Sequence, residues 1–174
     1  MIKKAALIAA MALPALAMAD APKPLTVVET ITIKATPDQV WAAVKDFDSL
    51  DKWHPGFSKD VLVKGANNTK GTVRELTIKD GPSFKEELLH FSEKKHSYTY
   101  RIIDSPLPIT GYKSTLTVKP AKDGATDVTW VGHFQRKNPA DAPPEAESDA
   151  GVTKLITGVY QGGLNNLKKK FEGS

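Results

Sequence analysis

Apolar and polar residues alternate along most of the chain, and this period-two pattern predicts β-strands. Turn signals separate the runs, for instance Asp80-Gly81-Pro82 and the segment Ala66 to Thr69. The predicted strands number seven and cover residues 25–34, 57–64, 72–79, 83–91, 97–104, 111–119 and 126–136. The last six follow one another with short turns, so we expect one antiparallel sheet that buries one of its faces.

Two short helices are predicted between the first and second strands. Thr36 and Pro37 are typical helix-start residues, and the helix that they open extends over 38–45. A second helix over 47–53 ends at His54-Pro55-Gly56, because proline and glycine prevent its continuation.

The chain ends in a predicted long helix, from about residue 144 to residue 171. Gly158, Gly162 and Gly163 are unfavourable inside a helix and indicate close approach to the sheet or to the contents of a cavity. Because this is the only long amphipathic element, we expect the sheet to wrap around it. Its apolar stripe comprises Val152, Leu155, Ile156, Val159, Tyr160, Leu164 and Leu167.

The N-terminal segment has the pattern of a secretory signal peptide. Lys3 and Lys4 precede a short apolar stretch, and Ala17-Met18-Ala19 forms a cleavage site of small residues. The apolar stretch falls short of the ~20 residues that span a bilayer, so we expect no stable membrane anchor. The prediction is a signal peptide over 1–19, cleavage after Ala19, a periplasmic location and one domain over 20–174.

Composition and charge exclude several classes of protein. The absence of cysteine excludes disulfide scaffolds, thiol catalysis and iron–sulfur clusters. The net charge of +4 is small and only three of the 24 basic residues are arginines, which argues against nucleic-acid binding. The sequence contains no nucleophile elbow, zinc-protease motif or phosphate-binding loop, and no two histidines have metal-ligand spacing. We therefore expect no cofactor, no metal and no catalytic residues.

One face of the predicted sheet carries mostly apolar side chains and a few polar ones. This composition is typical of a small-molecule pocket, and equally of a packed core that buries an Arg74–Glu86 ion pair. Glu86 or His90 could act as a general base, although the spacing does not require it. The candidate cavity residues lie on this face, on the last helix and, in the case of His54, at the expected mouth of the cavity. They are Arg74, Leu76, Glu86, Leu88, His90, Tyr98, Tyr100, Tyr112, Trp130, Phe134, Val159, Tyr160 and His54.

Several local strings resemble those of a known superfamily. The strings ATPDQVW at 35–41 and FDSLDKWHP at 47–55 are similar to motifs of the START-like polyketide cyclase/dehydrase superfamily, SRPBCC. The resemblance implies the α+β helix-grip fold, a curved antiparallel sheet of about seven strands around a long C-terminal helix. The strings SYTYRI at 97–102, SPLP at 105–108 and YKSTL at 112–116 resemble the secreted, MxaD-like branch of the superfamily.

The resemblance implies a function, and the residues leave alternatives open. The MxaD-like branch implies a non-enzymatic periplasmic accessory protein that assists a methanol or alcohol dehydrogenase, a quinoprotein, and its c-type cytochrome partner. The second hypothesis is a periplasmic carrier or sensor of a small hydrophobic ligand in the helix-grip cavity. The third is a cyclase-like enzyme that acts on such a ligand.

Overall fold

The computed structural model of the protein describes residues 22–173. The predicted signal peptide, residues 1–19, lies outside the described residues. Between residues 22 and 173, no helix is long and apolar enough to cross a membrane. In chain order the main elements are β1 (Leu25–Ile33), α1 (Pro37–Val44), α2 (Leu50–Trp53), β2 (Phe57–Lys64), β3 (Val73–Ile78), β4 (Ser83–Ser92), β5 (Ser97–Asp104), β6 (Ile109–Pro120), β7 (Thr126–Arg136) and α3 (Asp149–Glu172).

The seven strands form one antiparallel sheet in the order β1-β7-β6-β5-β4-β3-β2. Strands β2 to β6 each pair with the next strand in the chain, and β1 pairs with β7 along its full length. The inner face of the sheet packs against α3, which buries Val152, Ile156 and Leu167 there. The predicted α+β helix-grip architecture is therefore confirmed.

The helix starts follow from local hydrogen bonds. Thr36 caps α1 and forms a capping box with Gln39, as its position before Pro37 predicted. Helix α2 is shorter than predicted and begins only at Leu50, and before it the side chains of Asn67 and Asn68 accept from the backbone N–H of Phe47. Helix α3 begins later than predicted, after Ser148, whose hydroxyl accepts from the N–H of Gly151.

The prediction that His90 faces the interior is wrong. A β-bulge lies between Leu88 and His90, so that Leu88 stands opposite Tyr100 and His90 stands opposite Thr99. The extra residue reverses the alternation for the rest of β4. His90 is exposed, whereas Phe91 packs against the core in its place. A general-base role for His90 inside the fold is excluded with it.

Candidate functional site

A cavity of about 610 Å³ lies between the inner face of the sheet and the first half of α3. The loop that follows α2 closes one side, and Leu107 from the loop between β5 and β6 contributes to another. Exposed residues of α3, Lys154, Leu155 and Gly158, mark the mouth. The lining comprises Leu50, His54, Pro55, Gly56, Phe57, Ile78, Phe84, Glu86, Tyr100, Ile102, Leu107, Tyr112, Trp130, Lys154, Leu155, Ile156, Gly158, Val159 and Gly162.

The candidate residues divide into three groups. The cavity wall contains His54, Glu86, Tyr100, Tyr112, Trp130 and Val159. His90 faces solvent. The remaining candidates are buried in the core but are absent from the wall, so their assignment to the cavity is corrected: Arg74, Leu76, Leu88, Tyr98, Phe134 and Tyr160.

Sequence reasoning missed the wall residues that lie outside the strands' regular alternation. Leu50, Pro55, Phe57 and Leu107 come from α2 and from segments at strand ends, which tertiary packing brings to the cavity. The only sequence signal for these positions is their closeness to His54-Pro55-Gly56 and to the Pro-rich loop at 105–108. The alternation of β-strand faces carries no information about such segments.

A buried ion cluster supports the inner end of the cavity. The Nε and Nη2 groups of Arg74 donate to Oε2 of Glu86 at 2.8 and 2.6 Å, which confirms the predicted pair. The third member, Asp60, was not predicted; its Oδ2 accepts from Nη1 of Arg74 at 3.1 Å. Nη1 also donates to the carbonyl of Phe47 at 2.6 Å, and the guanidinium lies over the Phe47 ring.

Burial sets the protonation of this cluster. Loss of hydration raises the pKa of Glu86 to about 7 and that of Asp60 to about 6, although the charge of Arg74 opposes both shifts. Burial alone would lower the pKa of Arg74, but the two carboxyl groups outweigh it and raise that pKa. Arg74 therefore stays charged, and Glu86 is the cavity-wall group that titrates near neutral pH.

Hydrogen-bonded hydroxyl groups surround the same inner end. Tyr112 Oη lies 2.6 Å from Tyr160 Oη, which lies 2.9 Å from Ser114 Oγ. Trp130 donates through Nε1 to Tyr100 Oη at 3.0 Å, and its ring stacks on Tyr160 with centroids 4.4 Å apart. Burial raises the pKa of the hydroxyls of Tyr100, Tyr112 and Tyr160, so all three remain protonated.

His54 joins the loop after α2 to α3. Its Nε2 donates to the carbonyl of Val159 at 2.7 Å, and its Nδ1 accepts from the N–H of Gly56 at 3.0 Å. These two partners fix the neutral tautomer that carries its proton on Nε2. Burial lowers the pKa of His54 as well. Gly163 makes this approach possible, because a Cβ atom there would overlap with the imidazole.

The arrangement suits the binding of an apolar molecule with one polar end. Aromatic and aliphatic side chains form most of the wall, and its polar groups from the sheet are Glu86, Tyr100 and Tyr112 together with the indole of Trp130. Among residues 22–173, no three histidine or acidic side chains are grouped so that they could hold a metal ion.

Comparison with solved structures confirms the fold. The structure of XoxI from Bacillus cereus has a TM-score of 0.74 and 32% identity and covers 85% of this chain and 96% of that one. A protein from Nitrosospira multiformis has a TM-score of 0.71 and 24% identity, covering 86% and 97% of the two chains. The crystal structure of Ara h 8.0201, with a TM-score of 0.67 and 20% identity over 87% and 100%, shares the fold.

Sequence comparison establishes the family. The abscisic acid receptor PYL10 of Arabidopsis thaliana is 30% identical over 139 residues, which cover 78% of this chain and 73% of the relative. A sequence model of the family described as "Polyketide cyclase / dehydrase and lipid transport" matches residues 24–172. The resemblance to the SRPBCC superfamily is thereby confirmed, and the similarity to XoxI is consistent with its MxaD-like branch. The chain belongs to the polyketide cyclase/dehydrase and lipid transport family.

Proposed function

We propose that this protein binds a small, largely apolar molecule between its sheet and α3, and carries or senses that molecule without converting it. One observation carries the proposal, namely the cavity of about 610 Å³ with aromatic and aliphatic walls and polar groups at its inner end. Membership of a family of ligand-binding proteins supports it. So does the similarity to PYL10, an abscisic acid receptor.

The engagement of the polar groups favours binding over catalysis. His54 uses both ring nitrogens to hold the backbone, so its imidazole exchanges no proton with an occupant while these bonds persist. Glu86 is held by two bonds from Arg74, and the hydroxyl of Tyr112 is bonded to Tyr160. These contacts fix the positions of groups that orient a ligand.

Titration with N-phenyl-1-naphthylamine, a neutral dye that fluoresces in apolar surroundings, tests the proposal. A Cβ atom at Gly158 would meet nothing within 4 Å, so a phenylalanine there can enter the mouth without disturbing the fold. We expect saturable one-to-one binding that Gly158→Phe weakens by at least about tenfold, a loss of about 1.4 kcal/mol.

Asn165→Phe is the matched control. It adds the same ring to an exposed position of α3 outside the cavity wall, so the dye affinity should remain that of the unmodified protein. Non-saturable binding, or the same affinity in both variants, would rule out the cavity as the binding site. Native mass spectrometry of protein from the periplasm of its own host then identifies the natural occupant by its added mass.

We also propose, as a second candidate, the accessory role in alcohol oxidation that the MxaD-like strings imply. The similarity to XoxI supports it. The partners would be a periplasmic quinoprotein dehydrogenase and its c-type cytochrome, and the exposed lysines Lys59, Lys64, Lys70 and Lys79 offer a charged surface for them. Co-elution with a purified dehydrogenase that disappears as salt is raised supports this role, and separate elution at low salt rejects it.

A further inference from the structure

The direction of each hydrogen bond at the inner end of the cavity can be deduced. Ser114 Oγ lies 2.8 Å from the carbonyl of Val131, which can only accept, so Ser114 donates to it. Ser114 must then accept from Tyr160, and Tyr160 in turn accepts from Tyr112. The hydroxyl proton of Tyr112 is therefore used inside the wall, and its oxygen offers the cavity only a lone pair.

Tyr100 has the opposite polarity. The indole Nε1 of Trp130 can only donate, so Tyr100 accepts from it and keeps its own proton, for which the hydroxyl oxygen of the neighbouring Tyr112 is one acceptor. In its ionised form Glu86 contributes a second acceptor, because Arg74 bonds only its Oε2. Within residues 22–173, no donor bonds Oε1, although the side chain is only 5% exposed.

These three groups occupy one small, buried region of the cavity wall. Glu86, Tyr100 and Tyr112 lie on the adjacent strands β4, β5 and β6, and all three side chains are buried in the cavity wall. The region therefore presents two acceptors, one of them on a carboxyl group, and one donor. Tyr100 and Tyr112 can pair with each other, whereas Oε1 of Glu86 lacks a donor among the described residues. Because an unmatched buried acceptor is costly, a ligand gains most by supplying a donor to Oε1.

We propose that the inner end of this cavity recognises an un-ionised hydroxyl group, that of an alcohol or a phenol, and rejects carboxylates and ethers. A hydroxyl donates to Glu86 or Tyr112 and accepts from Tyr100. A carboxylate would face the lone pairs of both acceptors, and an ether has no proton to donate. This inference rests on the proposed function, because it assigns the ligand class of the same cavity.

The one cationic side chain of the wall lies elsewhere. Lys154 is exposed at the mouth, so an anionic group of a bound molecule is favoured there and not beside Glu86. The polarity of the cavity thus also fixes the orientation of its occupant, with the hydroxyl group inward.

The test compares three probes that share one ring system: 2-naphthol, 2-methoxynaphthalene and 2-naphthoate. Isothermal titration calorimetry on the purified protein at pH 8, above the pKa of about 7 of Glu86, gives the dissociation constant of each. We expect 2-naphthol to bind at least about tenfold more tightly than either of the others, since one hydrogen bond to a charged group accounts for that factor.

The substitution Glu86→Gln exchanges a hydrogen-bond acceptor of the cavity wall for a donor. The amide oxygen has to face the donors of Arg74, so the NH₂ group takes the place of Oε1 in the cavity. The preference for 2-naphthol over 2-methoxynaphthalene should fall by about tenfold and 2-naphthoate should gain affinity, because a donor has replaced an acceptor. Glu87→Gln is the matched control, since Glu87 is the next residue of β4 and bonds Arg101 on the outer face.

A second variant keeps the test independent of the ion cluster. Tyr112→Phe removes one acceptor without touching Arg74 or Glu86, and should also reduce the preference for 2-naphthol. Equal binding of the three probes, tighter binding of 2-naphthoate, or unchanged preferences in both variants would overturn the hydroxyl assignment while leaving the apolar cavity intact. Failure of all three probes and of the neutral dye to bind would overturn the proposed function itself.

Discussion

At the scale of single residues, Arg74 is the cation that compensates the buried carboxyl groups of the interior. The side chain is 1% exposed and bonds Glu86, Asp60 and the carbonyl of Phe47. An isolated buried charge is expensive, and each of these bonds offsets part of the cost for both partners. The same contacts hold the Glu86 carboxyl group at the cavity wall, so the stability of the core and the shape of the site depend on one guanidinium.

Arg74→Leu should therefore lower the free energy of unfolding by about 3–5 kcal/mol, because it leaves two buried carboxyl groups without their cation. Urea unfolding measures the loss. Arg101→Leu is the matched control: it breaks the surface pair with Glu87, so a loss of at most about 1 kcal/mol is expected. Similar losses in the two variants would contradict the importance assigned to the buried cluster.

The sequence predicted only part of this cluster. Arg74 and Glu86 lie at alternating positions of two strands joined by a hairpin, so a shared face and a common register followed from the turn. Asp60 could not be placed, because its inward position depends on the irregular pairing of β2 with β3 and on the packing of α2, where it accepts from the N–H of Leu50. Such contacts between distant elements leave no local pattern.

At the scale of the elements, α3 shows why glycines stand in a long helix. The sequence predicted close approach at Gly158, Gly162 and Gly163, and the structure separates their roles. Gly163 lies against His54 and Trp53, whereas a Cβ atom at Gly158 would meet nothing within 4 Å. Gly158 instead lies at the cavity mouth. Position in the helix sequence could not distinguish these cases, because both glycines have the same helix propensity.

Gly163→Ala should destabilise the protein by about 1–3 kcal/mol through the overlap with His54, despite the better helix propensity of alanine. Gly158→Ala provides the comparison and should be neutral or stabilising by up to about 1 kcal/mol. Thermal or urea unfolding of the two variants measures the difference. A stabilised Gly163→Ala variant would show that the helix and the loop after α2 are not in tight contact.

At the scale of the whole molecule, His54 links two parts that are distant in the chain. Its imidazole bonds Val159 in α3 and Gly56 before β2, and only the neutral ring can make both bonds. The resemblance of the chain's strings to a known superfamily predicted the architecture, and the alternation of strand residues predicted most of the inner face. Apart from His54, the cavity walls contributed by loops and by α2 were not predicted, because they arise only when these parts assemble.

Stability should depend on pH through His54. Burial lowers its pKa in the folded protein, so its contribution is complete above about pH 6.5, the usual value in the unfolded chain, and is lost as the pH falls through the lowered folded value. Glu86 and Asp60 have raised pKa values and act in the opposite direction, gaining stability as the pH falls.

A comparison of variants isolates the contribution of His54. His54→Gln keeps a donor for the carbonyl of Val159 without a titrating ring, so it should lose less stability than the unmodified protein between pH 7 and pH 5. Exposed His90 supplies the control His90→Gln, which should follow the unmodified protein. Urea unfolding at a series of pH values gives the three curves, and parallel curves for all of them would contradict this role of His54.

The bulge in β4 has a consequence for comparing relatives of this chain. Before the bulge, even-numbered positions such as Glu86 and Leu88 face inward; after it, an odd-numbered one, Phe91, does so. An insertion or deletion in this strand therefore exchanges interior and surface for every residue beyond it, whereas the same change in a loop only alters its length. An alignment that places its gap on the wrong side of residue 89 equates solvent-facing residues with core residues, although the overall identity barely changes.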